Sequence, residues 1–317
     1  MTRLTRMTLA ASASIACVSV LTSAAPAADI ADGRLVVEPG DVITIVGNTF
    51  AERMIKHPHL ETLLQRGHPE HELIVRNLGW SGDEVALQPR PLNFGTMNDH
   101  VRRTGADVLI GCFGMNESFK GNDGIHNFRR ELGQWLDEHL AMDIDGHTPV
   151  VILVSPIAHE SLGDPLPDGR AHTHDLGRYR DAMREESLKR GALFVDLVRP
   201  TQRAMARSES PLTINGIHCN DDGYRVCAEA IVQQLGLPIV PHGIRPAGED
   251  ELAEAILRRN DLFFQRWRPV NTEYVYGRRH KPYGTQNFPG EMQDLDRLVR
   301  EGDATIHTIV KAQAVRP

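Results

Sequence analysis

Four segments set polar or reactive side chains directly after apolar runs, where alternating strands and helices build their sites. In Gly47-Asn48-Thr49-Phe50 the threonine opens an amphipathic stretch, so its hydroxyl projects from a strand-to-helix turn. A nucleophile is well exposed at such a turn, and a backbone N–H there sits at the positive end of a helix dipole, suited to a developing oxyanion. Asn77-Leu78-Gly79-Trp80-Ser81-Gly82-Asp83 offers glycines that let a backbone approach a ligand closely. Asn116 follows a third apolar run in Gly114-Met115-Asn116-Glu117, and His218 follows Asn215 by three positions before the last helical stretch. A loop histidine is a suitable general base. Each segment also has an ordinary reading by itself. Thr49-Phe50-Ala51-Glu52 is a capping box, Ser81-Gly82-Asp83 is a turn, Asn116 bonds its own backbone, and His218 is one of 15 histidines.

Taken together and in this order, the segments resemble blocks I, II, III and V of the SGNH (GDSL) hydrolases, in which Ser, Gly, Asn and Asp-x-x-His build the site. The resemblance covers residues 41–240, with Thr49 at the serine position and Asn215 at the aspartate position. It implies Thr49 as nucleophile, His218 as base and Asn215 as its orienting partner. The Thr49 and Gly82 amides and the Asn116 side chain become the oxyanion donors. Asn48, Trp80, Glu117 and His159 become candidate substrate contacts, Glu117 standing where the family usually has aspartate. The longer strings around Asn48, Trp80 and Ser155-Pro156-Ile157-Ala158-His159-Glu160 are similar to a secreted subgroup of planctomycete-type bacteria. The implied reaction is hydrolysis of small acyl esters, acetyl above all, on carbohydrates or similar substrates, with no metal or organic cofactor. Two alternatives stay open: a non-catalytic glycan- or partner-binding protein, and a hydrolase whose nucleophile is water activated by His218. Both substitutions bear on rate. In serine proteases, asparagine for the triad aspartate lowers kcat by about 10⁴ through the wrong imidazole tautomer, and a threonine hydroxyl needs an adjacent base to attack.

The elements that must position these residues follow from the pattern of apolar runs. Residues 42–46, 72–76, 107–112, 150–154 and 193–196 read as strands, separated by helical spacing over 50–66, 97–104, 125–141 and 176–190 and closed by a helix over 226–235. Alternation of this kind predicts a three-layer α/β/α fold, flavodoxin-like, with a five-stranded parallel sheet in the order 2-1-3-4-5 and ligands at the carboxyl ends of the strands. Residues 241–317 read as a mainly helical extension packed on the domain over 29–240. It is expected to hold a helix over 249–268, an ordered loop over 271–290 and a short helix over 291–300.

The chain's 317 residues carry a formal net charge of -7 with both signs interspersed, which disfavours nucleic acid as a partner. Residues 1–28 read as a cleaved export signal: Arg3 and Arg6 precede an apolar stretch that ends at Ala25-Pro26-Ala27-Ala28. Secretion or periplasmic residence follows as the expectation, with no transmembrane segment left after cleavage, and lipidation at Cys17 is disfavoured by Ser14. Cys112, Cys219 and Cys227 are too few for a disulfide framework and read as free buried thiols. The His57/His59 and His172/His174 pairs lack a third metal ligand at any recognisable spacing and read as loop polarity. Asp221, Asp222 and Glu52 are the candidates for a replacement triad acid. All three are better placed as helix-capping residues. The basic, aromatic stretch 263–283 suits packing against the main domain, or a lid.

Overall fold

The structure is a computed structural model that describes residues 28–239, 250–271, 275–276 and 288–315. It begins with a short antiparallel hairpin, β1 (Asp29–Ala31) and β2 (Arg34–Val36), turned by Asp32-Gly33 with φ of +51° and +72°. The sequence reading misses this hairpin, although Asp-Gly is a strong signal for such a turn. Five further strands form one parallel sheet: β3 (Val42–Gly47), β4 (Ile74–Asn77), β5 (Val108–Cys112), β6 (Val150–Val154) and β7 (Leu193–Val195). Their order is β4-β3-β5-β6-β7, the expected 2-1-3-4-5 arrangement. Continuous apolar runs such as Val-Leu-Ile-Gly-Cys suit strands covered on both faces.

Successive side chains of each strand feed two different cores. Ile43, Ile110 and Ile152 point to the layer of α1 (Thr49–Arg53), α2 (His59–Gly67), α7 (Val198–Met205) and α8 (Asp221–Leu235). Leu109, Val151 and Leu153 point to the layer of α3 (Met97–Thr104), α5 (Gly121–Leu140) and α6 (Arg170–Arg190). The fold is therefore three-layer α/β/α. The helix expected over 50–66 is two helices joined by a 3-10 turn, Met54–Lys56, because Pro58 cannot donate into a continuous helix and becomes the N-cap of α2 instead. The short α4 (Met115–Ser118) and α7 are additional to the elements read from sequence.

Two helices of the C-terminal extension, α9 (Glu251–Trp267) and α10 (Phe288–Ala314), pack on each other through Leu252, Ile256, Ile306 and Val310. The last helix is 27 residues long rather than the short segment expected. A buried charge network ties the pair to the main domain. Arg259, 1% exposed, bonds Asp303 of α10 at 2.8 Å and the Val75 carbonyl at 2.9 Å, and pairs with Glu61 of α2. Removing one partner of such a network costs about 3–5 kcal/mol, because the other charge is stranded away from water. Among the described residues no helix is long and apolar enough to cross a membrane. The proposed signal over 1–28, save its last residue, and most of the loop expected over 271–290 lie outside the described residues.

Candidate active site

Close backbone approaches set the turn that carries Thr49. Gly47 ends β3 with φ +129°, and a Cβ there would lie 2.2 Å from the Cys112 carbonyl oxygen, so only glycine lets the ends of β3 and β5 meet. Asn48 donates its N–H to that same oxygen at 3.1 Å, and its side chain accepts from the Phe50 N–H at 3.0 Å. Asn48, not Thr49, is thus the N-cap of α1. The capping-box reading of Thr49 and Glu52 is incorrect, since the cap is filled one residue earlier. Glu52 turns instead to the Ser81 N–H and to Arg268 at 3.2 Å. Neither the hydroxyl nor the backbone N–H of Thr49 has a hydrogen-bond partner among the described residues.

The second segment lies directly against this turn. Asn77 donates to the Ala51 carbonyl at 2.8 Å, Trp80 donates to the Gly47 carbonyl at 2.8 Å, and a Cβ on Gly79 would lie 2.4 Å from the Glu52 nitrogen. Gly82 follows with φ +88° and an amide bonded to none of the described residues. The loop beyond is held by a nearly buried bidentate pair, Asp83 with Arg90 at 2.8 and 2.6 Å.

The loop carrying His218 hangs on Glu160. Its buried carboxylate accepts from the Leu212 N–H at 3.0 Å and the Thr213 N–H at 2.8 Å, while its own N–H donates to the Gly216 carbonyl at 2.8 Å. Asn215 Oδ1 then accepts from the His218 N–H at 3.0 Å, closing the turn.

These elements bring Thr49, Asn116 and His218 to one small pocket at the carboxyl ends of the strands. Asn48 lines it too, and the remaining wall is mostly apolar, with Phe50, Phe113, Met115, Val154, Ile157 and Ile217. Gly82 is not part of that wall.

The imidazole's partner decides its chemistry. The Asn215 amide lies beside His218 Nδ1, with Nδ2 at 2.9 Å and Oδ1 at 3.1 Å. Either Nδ2–H donates to Nδ1, or Nδ1–H donates to Oδ1. Only the second tautomer leaves a lone pair on Nε2 for a proton. A carboxylate at this position would enforce it; an amide supports both. Burial, and after it the Arg53 guanidinium, lower the His218 pKa from its ordinary value. Both effects favour the neutral ring, so an imidazolium at this position is opposed rather than stabilised.

Residues 40–226 match the GDSL-like lipase/acylhydrolase family, well over half of the chain. The chain belongs to this family. No curated protein matches the sequence. Among solved structures, the fold resembles BT4096, a gut microbial diltiazem-metabolizing enzyme, at 18% identity and a TM-score of 0.51 over 63% of this chain and 48% of that one. The chain thus spans about half the length of that relative. It also resembles Axe2, an acetylxylan esterase from Geobacillus stearothermophilus, at 18% identity and a TM-score of 0.51 over 63% of this chain and 96% of that one. These likenesses bear on the fold.

Seen within the family, several expected contacts move away from the pocket. Trp80 is a packing residue, sandwiched by Arg268 at 3.6 Å and Arg90 at 4.4 Å, with Trp267 and Phe94 at its edges. Glu117 is 2% exposed and holds the Val85 and Gly114 amides at 2.9 Å; burial pushes its carboxyl up to about 7. Its extra methylene relative to aspartate lets it reach both loops. His159 bonds His172 Nδ1 at 3.0 Å and faces a separate cavity with Ser161 and Arg170. None of the three replacement acids serves His218. Asp221 binds His57 and His59, Asp222 pairs with Arg225 at 2.9 Å, and Glu52 is engaged as described. The two aspartates occupy the first turn of α8, whose N-cap is Asn220. Arg53 escaped the sequence reading although it lies one helical turn past Thr49; its reach to the Cys219 carbonyl, at 3.4 Å, is a tertiary contact. Cys219 and Cys227 are free and buried, with sulfurs 3.9 Å apart.

Proposed function

We propose that the protein is a secreted or periplasmic esterase that removes small acyl groups, acetyl in particular, from carbohydrates or related esters. The observation that carries this reading is the convergence of Thr49, Asn116 and His218, from three separate elements, on one small pocket with apolar walls. His218 takes the Thr49 hydroxyl proton as the oxygen attacks the ester carbonyl. The Thr49 amide, bonded to none of the described residues, and the Asn116 side chain, both on the pocket wall, stabilise the oxyanion. The imidazolium then protonates the departing alkoxide, and a water activated by His218 releases the acyl group from Thr49. Family membership supports ester hydrolysis; the likeness to an acetylxylan esterase, together with the export-type N-terminus, motivates the acetyl-sugar choice. Thr49 and Asn215 are on this reading traits of the planctomycete-type subgroup.

A second reading is motivated by the electrostatics: with a neutral Asn215 and a positive Arg53 near His218, the pocket binds an acylated glycan without turning it over. One experiment separates the two. The purified protein is assayed on aryl acetates and acetylated xylo-oligosaccharides beside Thr49→Ala, Thr49→Ser and His218→Ala. The esterase reading expects both alanine variants to lose activity and Thr49→Ser to keep or raise it. Hydrolysis that survives Thr49→Ala transfers the nucleophile to water. Absence of hydrolysis with saturable glycan binding, unaffected by His218→Ala, establishes the binding protein.

A further inference from the structure

Near the pocket, but outside it, the fold assembles a set of donors that the sequence keeps apart. We propose that His57 Nδ1, His59 Nε2 and Asp221 Oδ1 form a binding site for a divalent transition metal of the zinc class. The three atoms lie within 4.8 Å of one another, with the two nitrogens 2.8 and 2.9 Å from the same carboxylate oxygen. Two imidazoles and a carboxylate, with a fourth position for water, make a familiar tetrahedral zinc set. Nitrogen-rich donors select such ions over magnesium and calcium, which prefer oxygen alone.

Preorganisation supports the assignment. The His57 and His59 side chains are only 16% and 11% exposed, whereas Asp221 is 58% exposed, so the rings are held and the cluster opens to solvent on one side. His57 stacks on Tyr224 at 4.5 Å, and the Tyr224 hydroxyl is itself fixed by donating to the Phe50 carbonyl at 3.0 Å. His59 begins α2 directly after Pro58, whose ring restricts the turn between the two histidines. His57 Nδ1 and His59 Nε2 both face the one Asp221 oxygen, a carboxylate that can only accept, so each of these nitrogens carries an N–H toward it. Metal binding requires only that each proton move to the other ring nitrogen, so neither imidazole need lose its proton to solvent.

The location gives the site a consequence. Asp221 opens α8 three residues after His218, and the histidines follow the helix that begins at Thr49. An ion here staples the α1–α2 junction to the first turn of α8, closing a loop of more than 160 residues between its ligands.

The test uses the full chain after chelator treatment and dialysis, titrated with zinc chloride by calorimetry and followed by thermal unfolding. Expected are saturable one-to-one binding and a raised Tm, neither produced by magnesium chloride at the same concentration. His57→Ala and Asp221→Asn should each weaken zinc binding by at least about tenfold, while His126→Ala, at an exposed position elsewhere, should not. Asp221→Asn alters an exposed side chain, and its circular dichroism spectrum verifies folding. Absence of saturable zinc binding by the wild-type chain, or zinc binding by folded Asp221→Asn as tight as wild type, overturns the proposal and leaves the cluster a hydrogen-bonded staple.

Discussion

His218 and the His57–His59–Asp221 cluster meet within one short stretch of chain, yet their imidazoles are partnered in opposite ways. His218 has an amide beside Nδ1 and a guanidinium among its neighbours, and its pKa is lowered. His57 and His59 share a carboxylate oxygen at 2.8 and 2.9 Å. An aspartate–histidine contact is therefore present in this protein, six positions beyond Asn215, serving different rings. The difference teaches that an acidic residue close in sequence to a base is no substitute for one whose geometry reaches it. Asp221 opens a helix whose first turn faces the α1–α2 junction, so its carboxylate is committed before it can approach His218.

Making the two environments alike is the most direct way to break the comparison. Asn215→Asp gives His218 the carboxylate it lacks, enforces the Nδ1–H tautomer and stabilises the imidazolium. The expected gain in kcat on aryl acetate is up to about 10⁴, the reverse of the loss seen when a triad aspartate becomes asparagine. An unchanged rate would show that proton transfer to His218 does not limit the reaction. Asn116→Ala tests the part of the site that does not depend on charge at the imidazole. It should lower kcat by about 10² to 10³ with little change in Tm, the effect of deleting one oxyanion donor. A smaller loss would remove Asn116 from the oxyanion site. Arg53→Gln is the mildest intervention. With the guanidinium gone, the His218 pKa rises toward its ordinary value, so the acid limb of the kcat/KM profile, which requires the neutral ring, moves to higher pH. On the alkaline plateau kcat should rise about fivefold, the rate equivalent of ~1 kcal/mol between charges a few ångströms apart in water. A pH profile identical to wild type would place Arg53 outside the base's electrostatics.

How far the sequence exposed this site depends on the range of the forces involved. The strands read over 42–46 and 107–112, observed at 42–47 and 108–112, were legible because continuous apolar runs between turn residues have few other solutions. Asn116 stood out just after the third of these runs and His218 three positions after Asn215, before the last helix. Glu160 entered the sequence reading only as the end of the Ser155–Glu160 string, with no role of its own, although it holds the His218 loop through the Leu212 and Thr213 amides, more than 50 positions away. Trp80 and Glu117 were assigned to substrate because their segments are near the site. Packing against Arg268 claims the first, and the Val85 and Gly114 amides claim the second.

Sequence alone determined the layer order and the parallel sheet, since these depend on local periodicity and on residues a few positions apart. Tertiary structure decided that Asn48 caps the first helix and leaves the Thr49 hydroxyl without a partner among the described residues, that Arg53 bears on His218, and that Asp221 joins His57 and His59. Those outcomes rest on contacts between elements distant in the chain, where small differences in direction decide which donor reaches which acceptor.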